Sequence, residues 1–355
     1  MKDFVIQNDR KHIMQRMGDV SQLAGAKRYE LIDGKAKGVE AVDFWTGTGF
    51  AFTVLPGRGM DIAWASYKGV PVGYMSKTGV VSPSYYESDG FRWLRTFFAG
   101  LLTTCGLSNA GLPCTDKDTL LGTEDFGLHG RITNTGADNV CVREEWLEDH
   151  FAMSVSGRVR ESRLFGENLT LTRTISTGMG ESSLRIKDVV ENEGFQAQPV
   201  MILYHINLGY PLLDEGSRMV CRSRSIKANT PEAEAEQATF DHMGPPVIGA
   251  QEKLYFHVPE GDTNGNAAAA LVNEKLELGA YIRFNTRQLP YMSQWKSLCA
   301  AEYVLGIEPG NCLPVGRVKQ RERGDLEMLA PGAKKTIEVE IGILDGKKAI
   351  AAFRP

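Results

Sequence analysis

The sequence predicts an all-β protein of antiparallel strands. Three observations carry that prediction. Short apolar or alternating runs are numerous, helical periodicity is scarce, and strand and helix patterns do not alternate as a parallel sheet would require. A length of 355 residues allows two domains or one large β domain, because sandwiches and barrels reach this size. The favoured organisation is a single domain over residues 1–355, with residues 1–34 as a helical N-terminal extension packed on it.

The first 25 residues read as helical, with Ile13, Met14, Met17, Val20 and Leu23 near one face. Asn8 or Asp9 is the expected cap, and Gly18 works against the helix. After Gly34 the texture changes to strand-like runs broken by Gly, Pro and Asn: "AFTVL" (51–55) and "DIAWASY" (61–67). "SDGFRWLRTFFAGLLTT" (88–104) is the one further helix expected. In "FAMSVSGRV" (151–159), Phe151, Met153, Val155 and Val159 alternate with Ala152, Ser154, Ser156 and Arg158. That period of two marks a half-buried strand.

Strands follow at "LTLTRTI" (169–175), "SLRIKDVV" (183–190), "PVMILYHINLGY" (199–210) and "KLYFHV" (253–258). "LGAYIRFN" (278–285), "AEYVLGIEP" (301–309) and "KTIEVEIGIL" (335–344) complete the set. The polar "TPEAEAEQATFDHMGPP" (230–246) and the turn-rich "GDTNGNAAAA" (261–270) read as loops.

Composition narrows the function. A net charge of −4 is small for this length and gives no broad basic field, which argues against nucleic acid or an anionic membrane surface as partner. The N-terminal residues lack the apolar core of a signal peptide, and no stretch approaches the roughly 18 apolar residues of a membrane span. The expected location is cytoplasmic. Six cysteines (105, 114, 141, 221, 299 and 312) form no CxxC pair, so they are read as reduced thiols without a zinc site.

Nucleotide-loop, zinc-protease and serine-hydrolase motifs are absent. What remains is a set of polar residues in apolar or glycine-bound settings. His129, in "FGLHGRITN", sits between two glycines that let the chain turn sharply; alone it reads as an ordinary loop histidine. His205 lies in an apolar strand, where it is either a satisfied core residue or an acid tuned by burial. Glu308 ends an apolar strand before Pro309 and Gly310, facing solvent or serving as a base.

Arg58 and Asp61, in "LPGRGMDI", are either a structural pair or, with Arg95, a set of groups that hold hydroxyls. Trp93, Tyr204, Tyr291 and Trp295 are core aromatics or platforms for a sugar face.

The order matters more than any one of these. An "LHG" histidine, then a histidine in "YHIN" on an apolar strand, then a glutamate in "GIEP" follow the sequence of motifs in galactose mutarotase. From about Val39 to Gly346 the chain resembles the aldose 1-epimerase (mutarotase-like) family, in a branch carrying "GRGMDI" and "TTCGL". The resemblance implies a β-supersandwich with the site in a cleft on the concave sheet. It also implies roles: Glu308 as general base at the anomeric hydroxyl, His205 as general acid at the ring oxygen, and His129 as hydrogen-bond partner of the oxygen on C1.

By the same resemblance Arg95 or Arg58 holds substrate, and Asp61, Tyr204, Asn207, Gln294 and Trp295 are candidate contacts. No cofactor and no metal are expected; a metal held by the two histidines and the glutamate is the alternative. The expected partner is a small carbohydrate, and a homodimer is compatible with the sequence.

The chain departs from the family in two places. Tyr204 stands where the family has asparagine, and no aspartate, Asp214 and Asp241 included, clearly matches the family's substrate-binding one. These changes put a modified sugar, ketose, uronate or sulfo-sugar on equal footing with galactose or glucose. Two other readings fit the same residues: an epimerase or keto-aldose isomerase that moves a proton from carbon, and a non-catalytic carbohydrate-binding domain.

Overall fold

Two antiparallel sheets dominate the computed structural model, which describes residues 9–355. The eleven-stranded sheet runs Gly25–Leu31, Val39–Trp45, Phe50–Leu55, Asp61–Tyr67, Leu102–Leu107, Met201–Gly209, Glu302–Gly310, Tyr291–Cys299, Lys253–Pro259 and Ser223–Ala228. The short Val70–Pro71 strand attaches to Asp61–Tyr67. The eight-stranded sheet runs Asp138–Leu147, His150–Ser162, Asn168–Gly178, Ser183–Asn192, Lys334–Asp345, Leu278–Asn285, Asn266–Asn273 and Arg218–Cys221.

One core lies between the sheets. Phe44, Val54, Ile62, Ile202 and Ile307 from the larger sheet share a buried cluster with Val155, Leu171, Ile186, Ile337 and Ile341 from the smaller. Each such side chain contributes roughly 1.5–3 kcal/mol on burial. The alternation in His150–Ser162 takes the expected form: Phe151, Met153, Val155 and Val159 are buried, while Ala152, Ser154, Ser156 and Arg158 are half-buried. Met201–Gly209 is buried at every position because both of its faces are covered. Ile202, Tyr204, Ile206 and Leu208 point into the inter-sheet core. Met201 and Leu203 pack outward under Trp93, Phe97 and Leu128.

Three expectations are corrected. The N-terminal helix is short: Arg10–Met14, capped by Asp9, whose side chain accepts from the His12 N–H. Asn8 lies outside the described residues. The chain is already a strand at Gly25–Leu31, paired to Val39–Trp45, so among the described residues the expected helical extension does not reach residue 34. Five residues are too few to hold a helix without packing.

The helix expected over 88–104 is instead a 3₁₀ turn at Arg92–Arg95 followed by Ala99–Gly100 and Leu102–Leu107 strands. Ala99 and Gly100 take left-handed φ values of 63° and 65°, which a right-handed helix cannot continue. Part of the supposed loop at 261–270 enters the Asn266–Asn273 strand, where four alanines are mostly or fully buried. Sheet context overrides alanine's poor strand propensity there. The 230–246 segment, expected as a loop, holds a five-residue α-helix at Pro231–Ala235 and a 3₁₀ turn at Gln237–Thr239, and is otherwise irregular. Among the described residues, no helix is long and apolar enough to cross a membrane, and all six cysteines are free.

Candidate active site

Cross-strand register brings two of the three motifs together. In the Met201–Gly209 and Glu302–Gly310 pair, Leu203 opposes Gly310 and Ile206 opposes Ile307, which sets His205 across from Glu308. Ser293 opposes Glu308 from the other side, and Thr103 opposes His205. Directly opposed residues share a face of an antiparallel sheet. These four therefore lie in one row on the sheet's outer face, turned away from the eight-stranded sheet. His205 Nε2 stands 3.2 Å from Glu308 Oε1.

His129 arrives from a loop. Its backbone φ is +57°, a conformation rare outside glycine, and three hydrogen bonds fix it there. The His129 N–H donates to the Gly111 carbonyl (2.9 Å), and the Gly106 N–H donates to the His129 carbonyl (3.0 Å). The Gly111 N–H donates to His129 Nδ1 (3.3 Å). With Nδ1 accepting, the neutral ring carries its proton on Nε2. The His129 and His205 rings are 5.7 Å apart, edge to face. Gly130 holds this turn close to the neighbouring chain: a Cβ there would sit 2.3 Å from the Gly106 carbonyl oxygen.

Aromatic rings wall the site. His129 lies against Trp93 at 4.8 Å, and His205 against Phe97 at 5.3 Å and Trp295 at 5.4 Å. Burial in this apolar box controls protonation. His205 is 5% exposed and Glu308 2%, so burial pushes the Glu308 carboxyl well above its ordinary range, and nearby Glu252 adds to the effect. Burial pulls His205 down to about 4 and His129 well below the usual imidazole value, with His205 contributing to the latter.

Five buried polar atoms here make no hydrogen bond within the protein: Trp93 Nε1, His205 Nδ1, Glu308 Oε1, Ser293 Oγ and Asn207 Oδ1. Buried groups of this kind are uncommon and cluster at functional sites. Among the described residues, no group of three or more His, Cys, Asp or Glu side chains is arranged to hold a metal ion.

The remaining candidates divide. Trp295 is in the wall, its indole N–H donating to Glu252 Oε2 at 2.7 Å. Asn207 shares the face of His205 and donates to the Ala99 and His205 carbonyls. Arg95 is exposed on the loop that carries Trp93 and Phe97, 3.8 Å from Glu87. Four others are turned elsewhere.

Arg58 is fully buried, and its guanidinium is spent on the carbonyls of Thr133, Val81 and Thr96. Asp61 accepts from Thr104, Thr133 and Arg173 between the sheets. Tyr204 donates to Asp188 at 2.6 Å on the inner face. Gln294 is held by His257 and the Phe240 carbonyl. Alternation explains the last two, since neighbours on a strand cannot share a face with His205 or Trp295. Phe97, Ser293 and Gly306 escaped sequence reasoning, although Ser293 is in phase with Trp295 and Gly306 with Glu308.

A family model described as Domain of unknown function (DUF4432) matches residues 36–343. A provisionally assigned aldose 1-epimerase from Klebsiella pneumoniae superposes with a TM-score of 0.87 at 27% identity, covering 94% of this chain and 88% of that one. A galactose mutarotase-like protein from Clostridium acetobutylicum gives 0.63 at 14% identity, covering 91% and 99%. Galactose 1-epimerase from Lactobacillus acidophilus gives 0.59 at 14% identity, with the same coverage. No curated protein matches the chain. The likenesses bear out the predicted fold class and the resemblance to aldose 1-epimerases and galactose mutarotase-like proteins.

Proposed function

The chain belongs to the family described as Domain of unknown function (DUF4432), and we propose that it interconverts the anomers of a sugar by acid–base opening and reclosure of the ring. The observation that carries this reading is the buried His205–Glu308 pair, 3.2 Å apart, with the His129 ring 5.7 Å from that of His205. Its Klebsiella neighbour, similar over 94% of this chain, carries aldose 1-epimerase in its description.

In the proposed reaction Glu308 takes the proton of the C1 hydroxyl while His205 protonates the ring oxygen, and the C1–O5 bond opens. His129, through Nε2–H, steadies the oxygen on C1 as it gains carbonyl character. Rotation about C1–C2 and reclosure with the roles reversed give the other anomer. Opening converts a carboxylate and an imidazolium into a neutral acid and a neutral imidazole. Burial raises Glu308 and lowers His205, so it favours the neutral pair from which reclosure begins, with Glu308 giving a proton and His205 taking one. Trp295 and Asn207 are the nearest proposed sugar contacts, and Arg95 approaches from the rim.

The test is NMR exchange between anomers across a sugar panel. His205→Ala and Glu308→Gln are each expected to lower kcat/KM by about 10²–10⁴-fold, the usual worth of a general acid or base. Wild-type rates in either variant would defeat the assignment. Deuterium appearing on a sugar carbon in heavy water would replace it with proton abstraction from carbon.

A further inference from the structure

The row holding His205, Glu308 and Ser293 continues across the sheet. Ser293 pairs with Phe256, and Phe256 pairs with Lys227. Direct pairing keeps Phe256 and Lys227 on the face that carries the acid–base pair. Three strand spacings, roughly 14 Å, separate the backbones of Glu308 and Lys227. At that end lies a cavity of 510 Å³ lined by Lys227, Phe256, Tyr291, Lys319 and Arg323, among others. Its size falls within the roughly 300–1,000 Å³ typical of small-molecule sites.

The lining has a charge bias. Lys319 and Arg323 come from the Arg317–Glu322 helix and its C-cap, four residues apart and so on one helical face. Arg323 shares its charge with Asp325 at 3.3 Å, and Glu322 is the one carboxylate in the lining. The side-chain ammonium groups of Lys227 and Lys319 have no ion-pair or hydrogen-bond partner among the described residues. Between these cations and Glu308 lie Phe256, Tyr291 and the buried, unpartnered hydroxyl of Ser293. The arrangement runs from an acid–base pair, across an apolar floor with one free hydroxyl, to two uncommitted ammonium groups.

Building on the acid–base reading above, we propose that the substrate is a sugar bearing an anionic group, a carboxylate, sulfate or phosphate, remote from its anomeric carbon, and that Lys227 and Lys319 receive it with Arg323. A neutral hexose would engage the pair and leave the cations without a partner. The separation of about three strands places the anion on an arm of the sugar rather than beside C1. Fixing that arm would hold the anomeric centre against His205 and Glu308, so binding remote from the reacting atoms would orient them.

The experiment compares matched pairs: glucose with glucuronate and glucose 6-phosphate, galactose with galacturonate and galactose 6-sulfate. Binding is read by quenching of tryptophan fluorescence, since Trp93 and Trp295 flank the site, and turnover by anomer exchange. At least one acidic sugar is expected to bind tenfold or more tightly than its neutral partner. That ratio should shrink about tenfold in K227A/K319A, whose folding is checked by circular dichroism, and should also fall as salt is raised.

No acidic preference in any pair, or a preference that survives K227A/K319A, overturns the proposal. Glu308→Gln keeps the two readings apart. A lysine-dependent acidic preference in protein that exchanges no anomers upholds the anion subsite and overturns the epimerase reading. Exchange lost in Glu308→Gln without any acidic preference does the reverse.

Discussion

At the scale of the residue, Glu308 shows what the site costs the fold. Its carboxyl is buried without a hydrogen bond to Oε1, and burial holds its pKa well above the ordinary value. The folded state therefore binds a proton that the unfolded chain releases near pH ~4.3. Below that value the group costs nothing. As pH rises from there toward the raised folded value, the cost of keeping it neutral or burying it charged grows. Glu308→Gln removes the titrating group and keeps the shape. Its melting temperature should exceed that of the wild type at about pH 8 and converge with it near about pH 4, read by scanning fluorimetry across pH. A wild type that is the more stable at about pH 8 would contradict the buried-carboxyl account. Trading stability for function in this way is common at active sites.

At the scale of the element, strand alternation decides which side chains meet. Gly306 lies two residues before Glu308 on the same face. A Cβ there would be 2.6 Å from Glu308 Oε1, 3.2 Å from Trp295 Cβ and 3.4 Å from His205 Cε1. The strand backbone tolerates alanine at this position, but the methyl would push Glu308 aside. Gly306→Ala should keep the wild-type circular dichroism spectrum and lose about 10²-fold in kcat/KM, the effect of misplacing a reacting group by about 1 Å. Unchanged kinetics would mean that Glu308 does not work from this position. The same alternation was readable in the sequence and limits it: on one strand, Trp295 and Gln294 cannot both reach a ligand.

At the scale of the whole molecule, a buried charge cluster ties the sheets together. Arg173 and Asp188 oppose each other on the smaller sheet and bond at 2.9 and 2.7 Å. Arg173 also reaches Asp61 and Thr104 on the larger sheet, and Tyr204 donates to Asp188. Burial alone would lower the Arg173 pKa, but Asp188 with Tyr204 and Asp61 outweighs it and keeps the guanidinium charged. Thr104 lies in the strand beside His205, and Thr133, which also donates to Asp61, follows the His129 turn. The cluster thus braces both histidine-bearing segments from behind. Arg173→Met would leave two buried aspartates without their cation and should destabilise the fold by about 3–5 kcal/mol in urea unfolding. A loss well below that range would show that the aspartates are neutralised another way.

The sequence by itself determined the antiparallel β class, most strand positions and the order of His129, His205 and Glu308. Period-two burial and short motifs are local properties, and the chain displays them without folding. It could not tell a guanidinium facing a ligand from one spent on backbone carbonyls, which is why Arg58 and Asp61 read as site residues and are structural. It also left the 88–104 segment looking helical, because left-handed turns at Ala99 and Gly100 are set by neighbours far along the chain. Only the tertiary structure decided that Glu308 and His205 face each other, that Ser293 and Gly306 stand beside them, and that Lys227 lies in the same row. Those juxtapositions come from the register between strands distant in sequence, and register is fixed when the whole core packs.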